Sequence, residues 1–171
     1  TCSLFFIALL FSCTSLGKIS QNKPISEMDL EDYSVYSVLV NSEQGGGRRS
    51  LVMILDHTGL RASPRLVEPE RVPDEVLEDF RLKNEATYLL ERNFQLLNNY
   101  HLLSATEYAG ISRSAPVITL SRVGFDNSRE LALVCIAHTK GAIADSDYFV
   151  ILRKIKGRWM VQRRLAVLVD E

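Results

Sequence analysis

The sequence is poor in the features that mark specialised protein classes. Three Cys in 171 residues leave no material for a disulfide-built scaffold. Neither charge sign dominates, since 20 basic residues stand against 21 acidic ones, so nothing global calls for nucleic acid as a partner. The three His lie 44 and 37 residues apart, without a paired spacing such as His-x-x-x-His, and neither a metal nor a cofactor is expected. A Gly-x-Ser-x-Gly elbow is missing, which removes the signature of α/β-hydrolase chemistry. An apolar run long enough to cross a bilayer as a helix, roughly 20 residues, is also missing. What remains is ordinary: 46% hydrophobic and 24% charged residues exclude collagen-like and wholly disordered chains and fit one domain with a real core.

The one unusual feature is Leu4-Phe5-Phe6-Ile7-Ala8-Leu9-Leu10-Phe11, eight apolar residues in a row, the length of a signal-peptide core. The residues that follow, Leu10-Phe11-Ser12-Cys13, resemble the lipobox of bacterial lipoproteins: an aliphatic residue, then a small one directly before Cys. The resemblance implies that residues 1–12 are a signal peptide and that Cys13 is the lipid attachment site; the alternatives are a plain cleaved signal and a core strand or helix over residues 4–11. Several acyl chains on one Cys would give a near-permanent membrane anchor. Residues 14–26 carry two Lys, no acid and mostly Ser, Gln, Asn, Gly and Pro, the composition of a flexible tether. Neither Thr14 nor Ser15 is an Asp retention signal. The expected location is the cell envelope, across the inner membrane, and the outer membrane if the host is Gram-negative.

Residues 27–171 read as a single domain with uneven charge. Residues 27–91 hold 14 acids and 7 bases, whereas 92–171 hold 7 acids and 11 bases. The acidic half reads mainly as helix. One helix is expected from near Ser26, where Ser26 and Asp29 have capping-box spacing, through Leu30, Tyr33, Tyr36 and Val40 to a Gly45-Gly46-Gly47 turn. A buried strand is expected at Ser50–Leu55, and a loop from Thr58 to Pro73. A second helix is expected behind Asp74 as N-cap, running to about Glu85, and further helical turns at Ala86–Phe94. Ser104-Ala105-Thr106-Glu107 has the form of a capping box ahead of a short helix ended by Gly110.

From Pro116 the period changes from helical to alternating. Val117–Val123, Glu130–Thr139, Asp147–Lys156 and Arg158–Leu168 read as four strands, with turns at Gly124–Asn127, Gly141–Ser146 and Lys156-Gly157. Short connections make them antiparallel neighbours. In the second run Leu131, Leu133, Cys135 and Ala137 line one face and Ala132, Val134 and Ile136 the other, so this strand is expected to be central and covered on both sides. The predicted fold is α+β: N-terminal helices packed on a C-terminal antiparallel meander of about four strands, plus one earlier strand.

Ser121-Arg122-Val123-Gly124-Phe125-Asp126, Ala132-Leu133-Val134, Tyr148–Lys154 and Gly157-Arg158-Trp159-Met160-Val161 together resemble an uncharacterised group of short bacterial secreted proteins and lipoproteins. The likeness covers residues 117–162 well and 84–104 weakly. It implies architecture and location and no chemistry, because the group carries no assigned activity. One departure is the loop Lys140–Asp147, where such sequences often have a Cys- and Gly-rich loop; no disulfide or metal role falls to that loop in this chain.

Candidate reactive groups are few. His57 follows Asp56 at a strand end and His138 closes the central strand, so the two would meet only if those strands were adjacent. Cys135, between Val134 and Ile136, reads as an inert core thiol. Asp56-His57-Thr58-Gly59 resembles the aspartyl-phosphate element of phosphoryl-transfer enzymes, yet the extra acids for Mg²⁺ and a doubly wound sheet are missing. Gly45-Gly46-Gly47-Arg48-Arg49-Ser50 lacks the Lys of a phosphate-binding loop and precedes a strand. Arg153, Lys154, Lys156, Arg158, Arg163 and Arg164 form a stretch of six bases without an acid, with Trp159 as a nearby aromatic, which makes Arg153 and Trp159 contact candidates for an anionic ligand. The expectation is therefore a non-enzymatic envelope lipoprotein, held to the membrane by its lipid and contacting an envelope protein or anionic ligand. The alternative is a small enzyme or ligand-binding protein with a pocket on a curved sheet gathering His57, His138, Tyr148 or Asp145.

Overall fold

The computed structural model describes residues 28–44, 51–59, 65–66, 68–111, 116–140 and 143–168. The apolar run at 4–11, Cys13, the tether, Ser26 and the Gly45-Gly46-Gly47 turn lie outside the described residues. Among the described residues the chain forms three α-helices, one short 3-10 helix and eight strands, an α+β fold with a C-terminal meander.

The meander is the framework. Its strands are β6 (Leu131–Lys140), β7 (Ile143–Ile155) and β8 (Arg158–Leu168), each antiparallel to the next. β7 starts at Ile143, so the expected Gly141–Ser146 turn is mostly strand, with a bulge after His138 absorbing the register change. Lys156 and Gly157 both take positive φ (51° and 76°), which matches the mirror-image turn that a two-residue hairpin requires. On the other side of β6 lie β4 (Pro116–Leu120), antiparallel, and the two-residue β5 (Gly124–Phe125). β1 (Val52–Leu55) runs parallel to β4 and to β3 (Tyr100–Leu103), and β2 (Arg65–Leu66) pairs the far end of β8. The sheet order is β2-β8-β7-β6-β4-β1-β3, with β5 also on β6.

Alternation in β6 fills two cores. Ala132, Val134 and Ile136 face a cluster containing Tyr36, Leu39, Leu152 and Trp159, while Leu131, Leu133 and Cys135 face one containing Val76, Phe80, Phe149 and Leu165. The first core is roofed by α1 (Leu30–Glu43), the second by α2 (Asp74–Lys83). α1 begins later than expected, because Asp29 caps it by accepting from the Glu31 N–H at 3.0 Å. α2 starts one residue earlier than expected, with Pro73 at the cap position; Asp74 is already helical and its side chain caps nothing, though it still stands at the positive end of the helix dipole. α3 (Ala105–Gly110) has the full capping box, with Ser104 Oγ accepting from Glu107 N–H and Glu107 Oε2 accepting from Ser104 N–H at 2.8 Å.

Residues 86–94 are not helical. They belong to an extended strap along one side of α1, and the reason lies in one row of that helix. Tyr33, Ser37 and Asn41, four residues apart, present polar atoms along a single ridge. Glu91 N–H donates to Tyr33 Oη (2.7 Å), Gln95 N–H to Ser37 Oγ (2.8 Å) and Leu97 N–H to Asn41 Oδ1 (2.9 Å). Further back, Leu90 N–H donates to Asp56 O (2.6 Å) and Thr58 exchanges bonds with Tyr88. Backbone donors captured in this way are lost to a local helix. Leu90 and Phe94 are buried under the strap, and Phe94 packs on Tyr33, Tyr36 and Tyr100.

Where α2 crosses β5 the backbones nearly touch. A Cβ at Gly124 would lie 2.5 Å from Phe80 Cβ and 2.7 Å from its N and Cα, so a side chain has no space there. Gly124→Ala is expected to destabilise the domain by about 3 kcal/mol, as overpacking against a fixed backbone does; a urea midpoint equal to the parent's would refute this.

Candidate functional site

Among the described residues, Asp32, Ser37, Ser121 and Arg122 are buried polar groups gathered around α1 and the link that follows β4. Asp32, in the first turn of α1, lies against Arg122, which sits in the irregular link between β4 and β5; Arg122 Nη2 donates to Asp32 Oδ2 at 3.0 Å. Both side chains are buried, and the guanidinium lies 4.3 Å over the Tyr88 ring of the strap. Burial pushes the Asp32 carboxyl up to about 6, although Arg122 pulls it down. Asp32 Oδ1 and Arg122 Nε have no hydrogen-bond partner among the described residues.

The residues around Arg122 hold it in place. Asn84, at the end of α2, accepts from Arg122 N–H at 2.8 Å and donates to Arg122 O at 3.2 Å. Ser121 Oγ accepts from Cys135 N–H (2.8 Å), and Tyr36 Oη donates to Ser121 O (2.7 Å). Asp79 accepts from Phe125 N–H and from Lys83, each at 2.7 Å, and Lys83 lies 4.8 Å over the Phe125 ring. The Ser121-Arg122-Val123-Gly124-Phe125 motif is thus a joint that locks both helices to β6. In the sequence Arg122 stands out only within Ser121–Asp126, and Asp32 is one of four acids between residues 27 and 32, with nothing local to mark it as the buried one.

Two acids at opposite ends of α1 reach the hairpin below. Glu31 accepts from Trp159 Nε1 and from Lys154 Nζ, both at 2.6 Å, and Lys154 lies 4.9 Å over the indole. Trp159 is only 6% exposed, so it is part of the α1 contact and offers no open aromatic surface. Glu43 accepts from Arg164 Nη2 at 2.7 Å and has His138 Nε2 at 3.7 Å. Tyr148 Oη lies 3.5 Å from that same nitrogen, and the two rings stack with centroids 6.1 Å apart. Burial, joined by the nearby Glu43 charge, raises the Tyr148 phenol well above its ordinary value.

The other candidates are apart from this cluster. His57, at the end of β1, has Nδ1 2.8 Å from Asp56 Oδ1 and bridges Leu89 through its backbone. β4 separates β1 from β6, with Ile118 paired to Ile54 on one side and to His138 on the other, so the two histidines are not adjacent. Cys135 is buried, and burial pushes its thiol up to about 12. Arg153 is exposed, as are Lys156, Arg158 and Arg163. Among the described residues no three His, Cys, Asp or Glu side chains gather as metal ligands, and no helix is long and apolar enough to cross a membrane. Set against known protein families, curated proteins and solved structures, the chain matches none.

The Asp32 shift has a definite sign. Its folded-state value of about 6 lies above the ordinary 3.8, so between these values the folded protein holds a proton that the unfolded chain releases. Stability contributed by this group is therefore full below about pH 4, falls as pH rises towards 6, and is flat above. Over that window the parent is expected to lose on the order of 3 kcal/mol relative to Asp32→Asn, which does not titrate. Urea denaturation of both proteins from pH 4 to 7 measures it; a pH-independent difference would contradict the assignment. Arg122→Ala, which leaves Asp32 buried and unpaired, is expected to cost about 3–5 kcal/mol near neutral pH.

Proposed function

We propose that the protein is a cell-envelope lipoprotein, anchored through Cys13, whose single domain works as a non-enzymatic binding or structural accessory module. The observation that carries this reading is Leu10-Phe11-Ser12-Cys13 at the end of an eight-residue apolar run, followed by a tether without acids. The folded domain is compatible with such a role: Trp159, Lys154, Arg164 and Arg122 are engaged with Glu31, Glu43 and Asp32, contacts that stiffen the body of the domain. Its first described helix follows directly on the tether side of the chain. Feeding a bacterial host an alkyne fatty acid should label the protein, and Cys13→Ala should reduce the label at least tenfold. Absence of label, or label retained by the variant, overturns the anchor.

A second reading, a small enzyme or ligand-binding protein, is favoured by one observation: Glu43, His138, Tyr148 and Arg164 come together at the C-terminal end of α1. Such a group offers a carboxylate, an imidazole and a phenol to an incoming polar molecule. On that reading Tyr148→Phe removes a contact to the ligand while keeping the ring stack. Ligands found by thermal shift on the parent should then bind the variant at least tenfold more weakly; equal binding removes the reading.

A further inference from the structure

The β7–β8 hairpin treats its bases differently on its two faces. On the α1 face Lys154 pairs with Glu31 and Arg164 with Glu43. The bulge at Gln162, where Ile151 pairs Arg163 and Leu152 pairs Val161, sets which residues of β8 share the opposite face. That face carries Phe149, Ile151 and Leu165 under the α2 core, and then, past the cover, Arg153, Ile155, Arg158, Met160 and Arg163. Arg153 pairs Met160, Ile155 pairs Arg158 and Ile151 pairs Arg163, so cationic and apolar side chains alternate across the ladder. Ile155 and Met160 are 47% and 53% exposed. Lys156, in the adjoining turn, is exposed as well. Among the described residues Arg153, Lys156, Arg158 and Arg163 take no part in any ion pair or side-chain hydrogen bond, and no acid occurs in the sequence from 151 to 169.

We propose that this face of the hairpin docks on the surface of an anionic phospholipid bilayer, the four unpaired bases meeting phosphate headgroups and Ile155 and Met160 entering the interfacial layer. Charge complementarity argues for this occupant. Four cations without a counter-charge repel a second copy of themselves, yet match a surface that carries many phosphates. The exposed Ile and Met between them favour a surface with an apolar layer beneath its charge over a purely polar polyanion. The inference deepens the envelope reading and rests on it for its setting, since a lipid at Cys13 would hold the hairpin within reach of a bilayer.

The test uses the full chain, with Cys13 or with Cys13→Ala, each with and without the pair Arg153→Glu and Arg163→Glu. Sedimentation with vesicles of phosphatidylcholine alone is compared with vesicles containing phosphatidylglycerol. The parent should bind the anionic vesicles at least tenfold better, and the excess should fall as salt rises from 0.05 to 0.5 M. The double reversal should abolish that excess in both Cys13 backgrounds without lowering the melting temperature. No preference for phosphatidylglycerol, or a preference unchanged by the reversal, overturns the proposal. If the double reversal melts early, Arg153→Gln with Arg163→Gln replaces it and should reduce the excess by at least threefold. Failure of the lipid anchor shows elsewhere, as equal binding of the Cys13 and Cys13→Ala chains to phosphatidylcholine.

Discussion

A strand that is apolar on both faces must be covered twice, and most of this architecture follows from meeting that demand for β6. Residues 131–136 divide between two cores, three to each, so the sheet needs a helix above and another below. Each helix must also be fixed at a set height, because the two cores share one strand and cannot adjust independently. The joint at residues 121–125 supplies that fixing. Gly124 lets α2 press on the sheet, Asn84 and Asp79 grip the backbone of the joint, and Arg122 reaches across to Asp32 of α1. An ion pair in such a place has a high desolvation cost and gives little net stability. What it does provide here is a directional tie between a helix and a link that have no regular secondary structure in common.

The meander is legible in the sequence because its information is local. Alternation in 131–137, the Lys156-Gly157 turn and the short connections fix strand, order and orientation without reference to distant residues. The capping box at Ser104–Glu107 is legible for the same reason. The strap at 86–97 is not, since the partners of its backbone donors are Tyr33, Ser37 and Asn41, more than fifty residues away. Its apolar residues have helical spacing, yet no helix forms, because α1 already offers the hydrogen bonds. β3 escapes notice as a four-residue edge strand whose pairing with β1 is parallel and remote in sequence.

The candidate site shows the same division. Cys135 as an inert core thiol is readable from its apolar neighbours. His138 and Trp159 stand out as residue types, but what they touch depends on Glu43 and Glu31, two acids on one helix that the sequence gives no reason to single out. The basic stretch 153–164 looks uniform along the chain. Only the bulge at Gln162 and the placement of α1 divide it into bases that are neutralised and bases that are not.

The contacts between α1 and the last hairpin also constrain the timing of folding. Glu31 and Trp159 are 128 residues apart, and Glu43 and Arg164 are 121 apart. A chain emerging from the ribosome at about 5–20 residues per second exposes α1 for roughly 6–25 seconds before β8 exists to receive it. The strap reaches Tyr33 after 58 residues and β6 follows it, but the hairpin contacts of Glu31 and Glu43 wait for the last strands, and long-range closure of this kind is intrinsically slow. The helix that begins the domain is therefore among the last parts to become secure, and the nascent chain stays open until its final strands arrive.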